Sequence, residues 1–131
     1  MSTHATGTFD VKTVPQGEPE TADGIVIGRM SISKNFQGDL QGTSTVQMLY
    51  SGTESAASRA YVAIERVTGT LGGKSGSFVL MHSGTMTNAG QELSVIVAPE
   101  SGTGELAAIA GTLQIIIKDK QHYYEFDYTG V

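Results

Sequence analysis

The chain has no cysteine, and this absence excludes several classes of protein. Disulfide-stabilised folds, thiolate nucleophiles and zinc–thiolate sites all require that residue. Long apolar runs are also missing, because no window approaches the roughly 18 apolar residues that a membrane-spanning helix needs. The N-terminal stretch MSTHATGTFDVKT lacks the basic and apolar regions of a signal peptide, so the sequence predicts a cytoplasmic protein.

Positive charge is scarce. The chain has 8 Lys and Arg residues against 13 Asp and Glu residues, which gives a formal net charge of -5 at pH 7. Nucleic acids and anionic membranes are bound through clustered Lys and Arg side chains, so we expect neither as a partner. The 131 residues fit a single domain that spans positions 1–131.

Glycine is abundant, with 17 residues against 3 prolines, and Thr, Val and Ile are frequent. This composition is typical of strands and tight turns. We count eight strands: an edge-like strand over 3–14, hairpins over 25–51, 59–86 and 112–128, and a single strand that ends at Pro99. Residues 16–24 are predicted to be a solvated loop, and Thr103 is predicted to cap a short helical turn over 104–110 that stops at Gly111.

Each hairpin has one apolar face, and no long helix is available for a parallel crossover. The sequence therefore predicts an all-β fold, an eight-stranded antiparallel β-barrel with at most one short helical turn. A two-sheet sandwich is the alternative, because it gives the same strand spacing.

The hairpin over 59–86 carries the sharpest chemical feature of the sequence. A turn at Gly73-Lys74 would place Glu65 directly opposite His82, on a face that is otherwise apolar. In the hairpin over 25–51, a three-residue connection would pair Phe36 with Leu40.

In the last hairpin, a turn at Asp119-Lys120 would pair Ile117 with His122. Leu113, Phe126 and Tyr128 would then lie on its apolar face.

An eight-stranded barrel is just wide enough to hold one small ligand. We therefore predict that a small apolar or aromatic ligand binds in the lumen, lined by the inward-facing polar and aromatic residues Glu65, His82, Tyr61, Tyr50, Phe78 and Tyr124. One alternative is a lumenal isomerase or cyclase in which Glu65 and His82 act as an acid–base pair. Another is a structural or protein-interaction module whose barrel is filled by side chains, with the acid and the imidazole as a structural pair.

No metal site and no cofactor are expected. His4, His82 and His122 lie on three separate strands without local ligand spacing. The segment 102–107 matches a G-x-G-x-x-A fingerprint, but only a helical turn fits before Thr112, whereas dinucleotide binding needs a long helix.

The second face of the central hairpin is also largely apolar. It carries Val62, Ile64, Val79 and Met81, and monomers seldom leave such a patch open. A homo-oligomer is therefore predicted, unless another segment of the chain covers this face.

Four stretches of the sequence also carry a family resemblance: FQGDLQGTS (36–44), YVAIERVTGTLGGKSGSFVLMHSGTM (61–86), SGTGELAAIAGT (101–112) and YYEFDY (123–128). Together they resemble DUF3224, a domain-of-unknown-function family of small bacterial proteins. Members of that family are similar in fold to allene oxide cyclase, an eight-stranded barrel that binds a fatty-acid epoxide, and to the dirigent proteins. The resemblance implies a barrel with a lumen suited to an apolar or aromatic molecule, and it assigns no catalytic residue.

Overall fold

The computed structural model describes residues 2–55 and 57–131, and most of them lie in antiparallel strands. A single 3₁₀ turn at Gly104–Leu106 interrupts this pattern. Within the described ranges, no helix is long and apolar enough to cross a membrane. The strands are β1 Thr3–Pro15, β2 Glu20–Ala22, β3 Ile25–Gly38, β4 Leu40–Thr53, β5 Arg59–Leu71, β6 Lys74–Thr87, β7 Gly90–Val97, β8 Ala110–Lys118 and β9 Gln121–Thr129.

The sheet closes on itself through β1. This strand pairs with β9 on one side and with β3 on the other, and the remaining strands pair in chain order, which confirms the predicted eight-stranded barrel. Two details differ from the sequence interpretation. β1 is not an edge strand, and the predicted loop over 16–24 contains the short β2, which pairs with the N-terminal part of β3.

The register of the central hairpin differs from the prediction by two residues. The turn is Gly72-Gly73, so Leu71 pairs with Lys74. Both glycines have positive φ, 59° and 82°, as a two-residue type I′ turn requires. The predicted Gly73-Lys74 turn was wrong. Two glycines adopt this conformation without steric cost, whereas a lysine can adopt it, as Lys120 does in the last hairpin, only with some strain. A shift of two residues leaves every side chain on its predicted face.

The hairpin formed by β3 and β4 is likewise shifted by two residues, since Phe36 pairs with Gly42 and not with Leu40. The connecting residues are held by β1 instead. The backbone N–H of Asp39 donates to the carbonyl of Thr6 at 3.0 Å, and its carboxylate accepts from the Thr6 N–H at 2.9 Å. This contact joins residues far apart in the sequence, which is why the local pattern did not reveal the register.

The last hairpin is built as predicted, with Ile117 opposite His122. Asp119 and Lys120 form its turn, with φ values of 52° and 65°. On its apolar face Leu113 and Phe126 are buried, whereas Ile117 near the turn is 65% exposed.

The core occupies one half of the barrel, which we call the closed half. Leu40, Leu71 and Phe126 are completely buried there. The segment between β7 and β8 covers this end, because it inserts Leu106 and Ile109 into the same core. The predicted helical turn over 104–110 is therefore shorter than expected, and Gly111 belongs to β8.

Thr103 does not cap the 3₁₀ turn with its side chain. The Thr103 hydroxyl instead accepts a hydrogen bond from the Ser77 N–H at 3.1 Å, and the Thr103 N–H donates to the Ser77 carbonyl at 2.8 Å. These bonds pin the covering segment to the part of β6 that β7 does not reach.

Candidate functional site

The other half of the barrel, which we call the open half, contains a cavity of about 410 Å³. Its wall is mostly apolar and includes Val11, Ile32, Met48, Leu93, Ile115 and Ile117. These side chains face inward because strand residues alternate between the two faces of the sheet. The cavity is open because no segment comparable to 98–109 covers this end among the described residues.

A cluster of four polar side chains lies where the two halves meet. Lys34, Ser44, Glu65 and His82 come from β3, β4, β5 and β6, four neighbouring strands, and all four are buried. Each occupies an inward-facing position of its strand, so the closed sheet brings them to one level. They form the polar floor of the open-half cavity, where Lys34 and His82 line the surface.

Glu65 is the centre of this cluster and has no exposed surface. Its Oε1 accepts hydrogen bonds from His82 Nε2 at 2.7 Å and from Lys34 Nζ at 3.1 Å, and its Oε2 accepts from Ser44 Oγ at 2.5 Å. Glu65 therefore contacts His82 diagonally, although its direct partner across the ladder is Leu80 and that of His82 is Ala63. The predicted direct pairing was wrong, but the two side chains do meet.

The hydrogen bonds hold Glu65 as a carboxylate. Burial is the strongest single influence on the pKa of Glu65 and would raise it. Three neighbours act in the other direction: a hydrogen bond from His82, the charge of Lys34 and a hydrogen bond from Ser44. Together they lower the pKa of Glu65 overall. An ionised, fully enclosed carboxylate can orient its neighbours, but it does not reach the cavity itself.

His82 presents its other ring nitrogen to the cavity. Because the carboxylate of Glu65 can only accept, Nε2 carries a proton and the neutral ring has an unprotonated Nδ1. Within residues 2–55 and 57–131, Nδ1 has no hydrogen-bond partner, yet every fully buried side-chain nitrogen or oxygen there has one. Nδ1 therefore keeps some exposure, on the cavity that His82 lines.

Lys34 is held by aromatic rings as well as by Glu65. Its ammonium lies 4.8 Å from the ring centroid of Phe9 and 6.0 Å from that of Phe36. Such cation–π contacts stabilise the charged form of a lysine that is largely removed from water. The side chain of Lys34 is only 8% exposed.

Two of the predicted site residues are tyrosines at the mouth of the open half. Tyr61 lines the cavity, whereas Tyr50 borders a neighbouring groove at the same end. Each lies directly opposite a glycine, Gly84 for Tyr61 and Gly28 for Tyr50. A Cβ added at either glycine would lie within 2.5 Å of the tyrosine ring, so the rings fold over the bare backbone. Burial, and secondarily the charge of Glu65, raises the pKa of Tyr61.

The remaining predicted residues, Phe78 and Tyr124, lie in the closed half and do not line the cavity. Phe78 stacks on Phe126 with ring centroids 5.7 Å apart. The Tyr124 hydroxyl accepts from the Leu40 N–H at 2.8 Å and donates to the Gln37 carbonyl at 3.0 Å. Burial raises the pKa of Tyr124. The structure thus brings together Glu65, His82 and Tyr61, with Tyr50 nearby.

Sequence reasoning missed Lys34 and Ser44. In the sequence, Lys34 alternates in step with the apolar residues Ile32 and Phe36, and Ser44 with Val46, so the alternation did point to an inward position for both. A lysine flanked by Ser33 and Asn35 in a polar stretch is normally read as exposed. The burial of Lys34 is explained only by its partner on β5, the carboxylate of Glu65.

The three histidines do not come together. His82 and His122 both line the cavity, but the His122 ring packs against Phe9, 5.1 Å between ring centroids, and is not bonded to the Glu65 cluster. His4 is on the outer surface, where Nδ1 is 2.7 Å from Asp127 and Nε2 is 3.2 Å from Glu125. The hydrogen bond to Asp127 raises the pKa of His4. In the described part of the chain, no group of three or more His, Cys, Asp or Glu residues is placed to hold a metal ion.

The chain matches the model of a known protein family. The model for a "Protein of unknown function (DUF3224)" matches residues 5–128. The chain belongs to the DUF3224 family. A crystal structure of a DUF3224 protein with unknown function from Shewanella oneidensis MR-1 is similar to it, with 43% sequence identity and a TM-score of 0.93.

That alignment covers 100% of this chain and 99% of the Shewanella chain, so the whole barrel is shared within DUF3224. No curated protein matches the chain. The DUF3224 assignment confirms the resemblance in the sequence, while the similarity to allene oxide cyclase stays a prediction.

Proposed function

We propose that this DUF3224 barrel binds one small, largely apolar molecule in its open half. The observation that carries the proposal is a cavity of about 410 Å³ inside the barrel, in which nine of the fifteen lining residues are apolar and Lys34 and His82 form a polar floor. Ligand pockets typically have volumes of roughly 300 to 1,000 Å³ and combine apolar walls with a few polar groups that orient the ligand. Both features are present here.

The floor is suited to orienting a ligand because its polar groups are held rigidly. Glu65 fixes Lys34 and His82 with hydrogen bonds of 3.1 and 2.7 Å, and the Ser44 hydroxyl donates to the other carboxylate oxygen. Groups fixed in this way lose little freedom when a ligand binds, which favours affinity. The filled-barrel alternative receives less support, because side chains fill only the closed half.

A matched pair of tryptophan variants on β8 tests the proposal. Ile115 faces the cavity and Ile116, its neighbour, faces the outside. We expect Ile115→Trp to weaken binding of the neutral fluorescent probe phenylnaphthylamine by roughly tenfold or more, because the indole occupies the cavity, and Ile116→Trp to leave it unchanged. Equal binding by both variants would place the probe outside the lumen and contradict the proposal.

Native mass spectrometry of the purified protein, followed by denaturing extraction, addresses the natural ligand. A stoichiometric apolar molecule that co-purifies with wild type and is lost in Ile115→Trp is the expected result. The same molecule retained by Ile115→Trp would argue that it binds elsewhere.

A lumenal isomerase is the second candidate function, favoured by the geometry of Glu65 and His82. An enclosed carboxylate 2.7 Å from Nε2 orients the imidazole and leaves Nδ1 to exchange a proton with a bound molecule. In this mechanism His82 transfers the proton, and Glu65 holds the imidazole ring of His82 in position. The extracted ligand, incubated with the protein in D₂O, would then take up deuterium with wild type but not with His82→Gln. No uptake with wild type would rule out this reading for that ligand.

A homo-oligomer in the cytoplasm remains part of the proposal. The outer face of the central hairpin is open, with Val62, Ile64 and Met81 exposed by 55%, 51% and 46%. Burial of this patch against a second copy would remove apolar area from water. Sedimentation analysis should detect an oligomer that Ile64→Asp dissociates; a wild-type monomer at micromolar concentration would contradict it.

A further inference from the structure

The floor of the cavity has two polar atoms with unused hydrogen-bonding capacity. The Lys34 ammonium carries three N–H donors, and in residues 2–55 and 57–131 it makes one hydrogen bond, to Glu65 Oε1. His82 Nδ1 has none within the same residues. Buried polar groups are normally satisfied, so these two atoms favour a ligand whose polar head group reaches both. A neutral head group would donate to the unprotonated Nδ1, whereas an anion would accept from Lys34 and from a protonated His82.

The charges of the cluster set the condition under which an anionic head group can bind. Within the cluster itself, the ammonium of Lys34 and the carboxylate of Glu65 compensate each other at 3.1 Å, and a neutral His82 adds no net charge. Glu65 is fully enclosed and has its three donors already, so a ligand meets only Lys34 and His82. Both are groups that donate hydrogen bonds to an anion, provided that His82 is protonated.

We infer that the ligand carries a carboxylate, which accepts hydrogen bonds from Lys34 Nζ and His82 Nδ1, and that its binding draws one proton onto His82. The proton is needed because a second carboxylate in a largely desolvated cluster would otherwise leave one negative charge uncompensated. The protonated imidazole then donates from both nitrogens, Nε2 to Glu65 and Nδ1 to the ligand. This inference rests on the proposed binding of a ligand in the open half.

Few other titratable groups face His82. Lys34 from β3 and Glu65 and Tyr61 from β5 are nearest. His122 from β9 also lines the cavity, and its ring lies 5.1 Å from that of Phe9, which contacts Lys34 as well. The parts of β1, β4, β7 and β8 that line the cavity contribute only apolar or neutral polar side chains. His122 is therefore the one competing imidazole that a test has to separate from His82.

Isothermal titration calorimetry of octanoate and octanol, two probes that differ only in the head group, tests the inference. Octanoate should bind roughly tenfold or more tightly than octanol at pH 6, as expected for a charge-assisted hydrogen bond. This advantage should decline towards pH 9, over the range in which imidazoles lose their proton. At pH 8, where an ordinary imidazole is neutral before binding, titrations in buffers of different ionisation enthalpy should report uptake of up to one proton for octanoate and none for octanol.

Variants assign the effect to residues. The double variant Lys34→Met/Glu65→Gln removes the ion pair without leaving an isolated charge, and it should bind both probes with similar affinity. His122→Gln should keep the octanoate preference and the proton uptake, whereas His82→Gln should lose the uptake.

The outcomes separate the two proposals. Equal affinity of wild type for octanoate and octanol would overturn the carboxylate and leave lumen binding in place. Binding of neither probe would count against lumen binding of an apolar chain and overturn both. Octanoate preference with no proton uptake, or with uptake that disappears in His122→Gln, would overturn the role of His82.

Discussion

The closed and open halves of the barrel are made from the same eight strands but are filled in different ways. In the closed half, aromatic and aliphatic side chains such as Phe126, Leu71 and Leu106 have no exposed surface. In the open half, inward-facing Val11 and Ile117 are 40% and 65% exposed. Because burial of apolar side chains is the main source of stability, we expect the closed half to contribute most of it, which leaves the open half able to keep a cavity.

The polar cluster marks the boundary between these halves. Above it the cavity is open, and below it the rings of Phe78, Phe126 and Tyr128 form a continuous aromatic stack. A buried ion pair of this kind is weak evidence for stability, because desolvation offsets much of the attraction. Its position on the cavity floor fits a role in recognition better than a role in packing.

The largest contrast should come from truncating one side chain in each half. Phe126→Ala should lower the free energy of unfolding by about 3 to 5 kcal/mol, because it leaves a cavity between Phe78 and Tyr128. Ile117→Ala at the rim should change it by no more than about 0.5 kcal/mol. Urea unfolding followed by circular dichroism measures both. Similar losses in the two variants would break the distinction between the halves.

The next largest effect concerns the boundary cluster. Glu65→Gln should destabilise the protein by about 3 kcal/mol, because it leaves the ammonium of Lys34 buried without its partner. Lys34→Met should also be destabilising, and Lys34→Met/Glu65→Gln should be less destabilised than the sum of the single variants. The measurement is a double-mutant cycle by urea unfolding. Strict additivity would mean that the ion pair does not couple the two residues.

A smaller effect is expected from two adjacent tyrosines. Tyr124→Phe should cost about 1 to 2 kcal/mol, because the buried N–H of Leu40 loses its acceptor. Tyr123→Phe on the outer surface should be nearly neutral and is the matched control. Thermal unfolding of the two variants gives the comparison. Equal melting temperatures would show that the Tyr124 hydroxyl does not hold the connection between β3 and β4.

The smallest expected effect is a dependence of folding stability on pH. The pKa of Glu65 is lower in the folded protein than in the unfolded chain, so its ionisation stabilises the fold above an unfolded-state pKa of about 4.3. This contribution is lost as the pH falls through the folded-state pKa. The stability difference between wild type and Glu65→Gln should therefore shrink below about pH 4.5. A difference that stays constant down to pH 3 would contradict a lowered pKa.

Much of the fold could be predicted from local patterns. The alternation of apolar and polar residues assigned each hairpin its inward face correctly, and the turn at Asp119-Lys120 predicted the register of the last hairpin. The registers of the other two hairpins were wrong by two residues. One depends on the backbone conformation of Gly72 and Gly73, and the other depends on a contact between Asp39 and Thr6.

The candidate site was only partly predictable for the same reason. Glu65, His82 and Tyr61 were expected in the lumen, and they do lie there, but Lys34 and Ser44 were not foreseen as members of the cluster. A buried lysine becomes plausible only when its partner is known, and that partner is 31 residues away. Phe78 and Tyr124 also faced inward as expected, yet no local pattern could tell that they lie in the closed half.

The sequence by itself determined which face of each strand points inward, the number of barrel strands and the family, because side-chain alternation and turn composition are local properties. The tertiary structure alone decided how far each strand slides against its neighbour, which half of the barrel is filled and which polar groups meet at the floor. Those features depend on contacts between residues distant in the chain, such as Leu106 in the closed half and Lys34 with Glu65 at the boundary. Such contacts exist only once the sheet has closed.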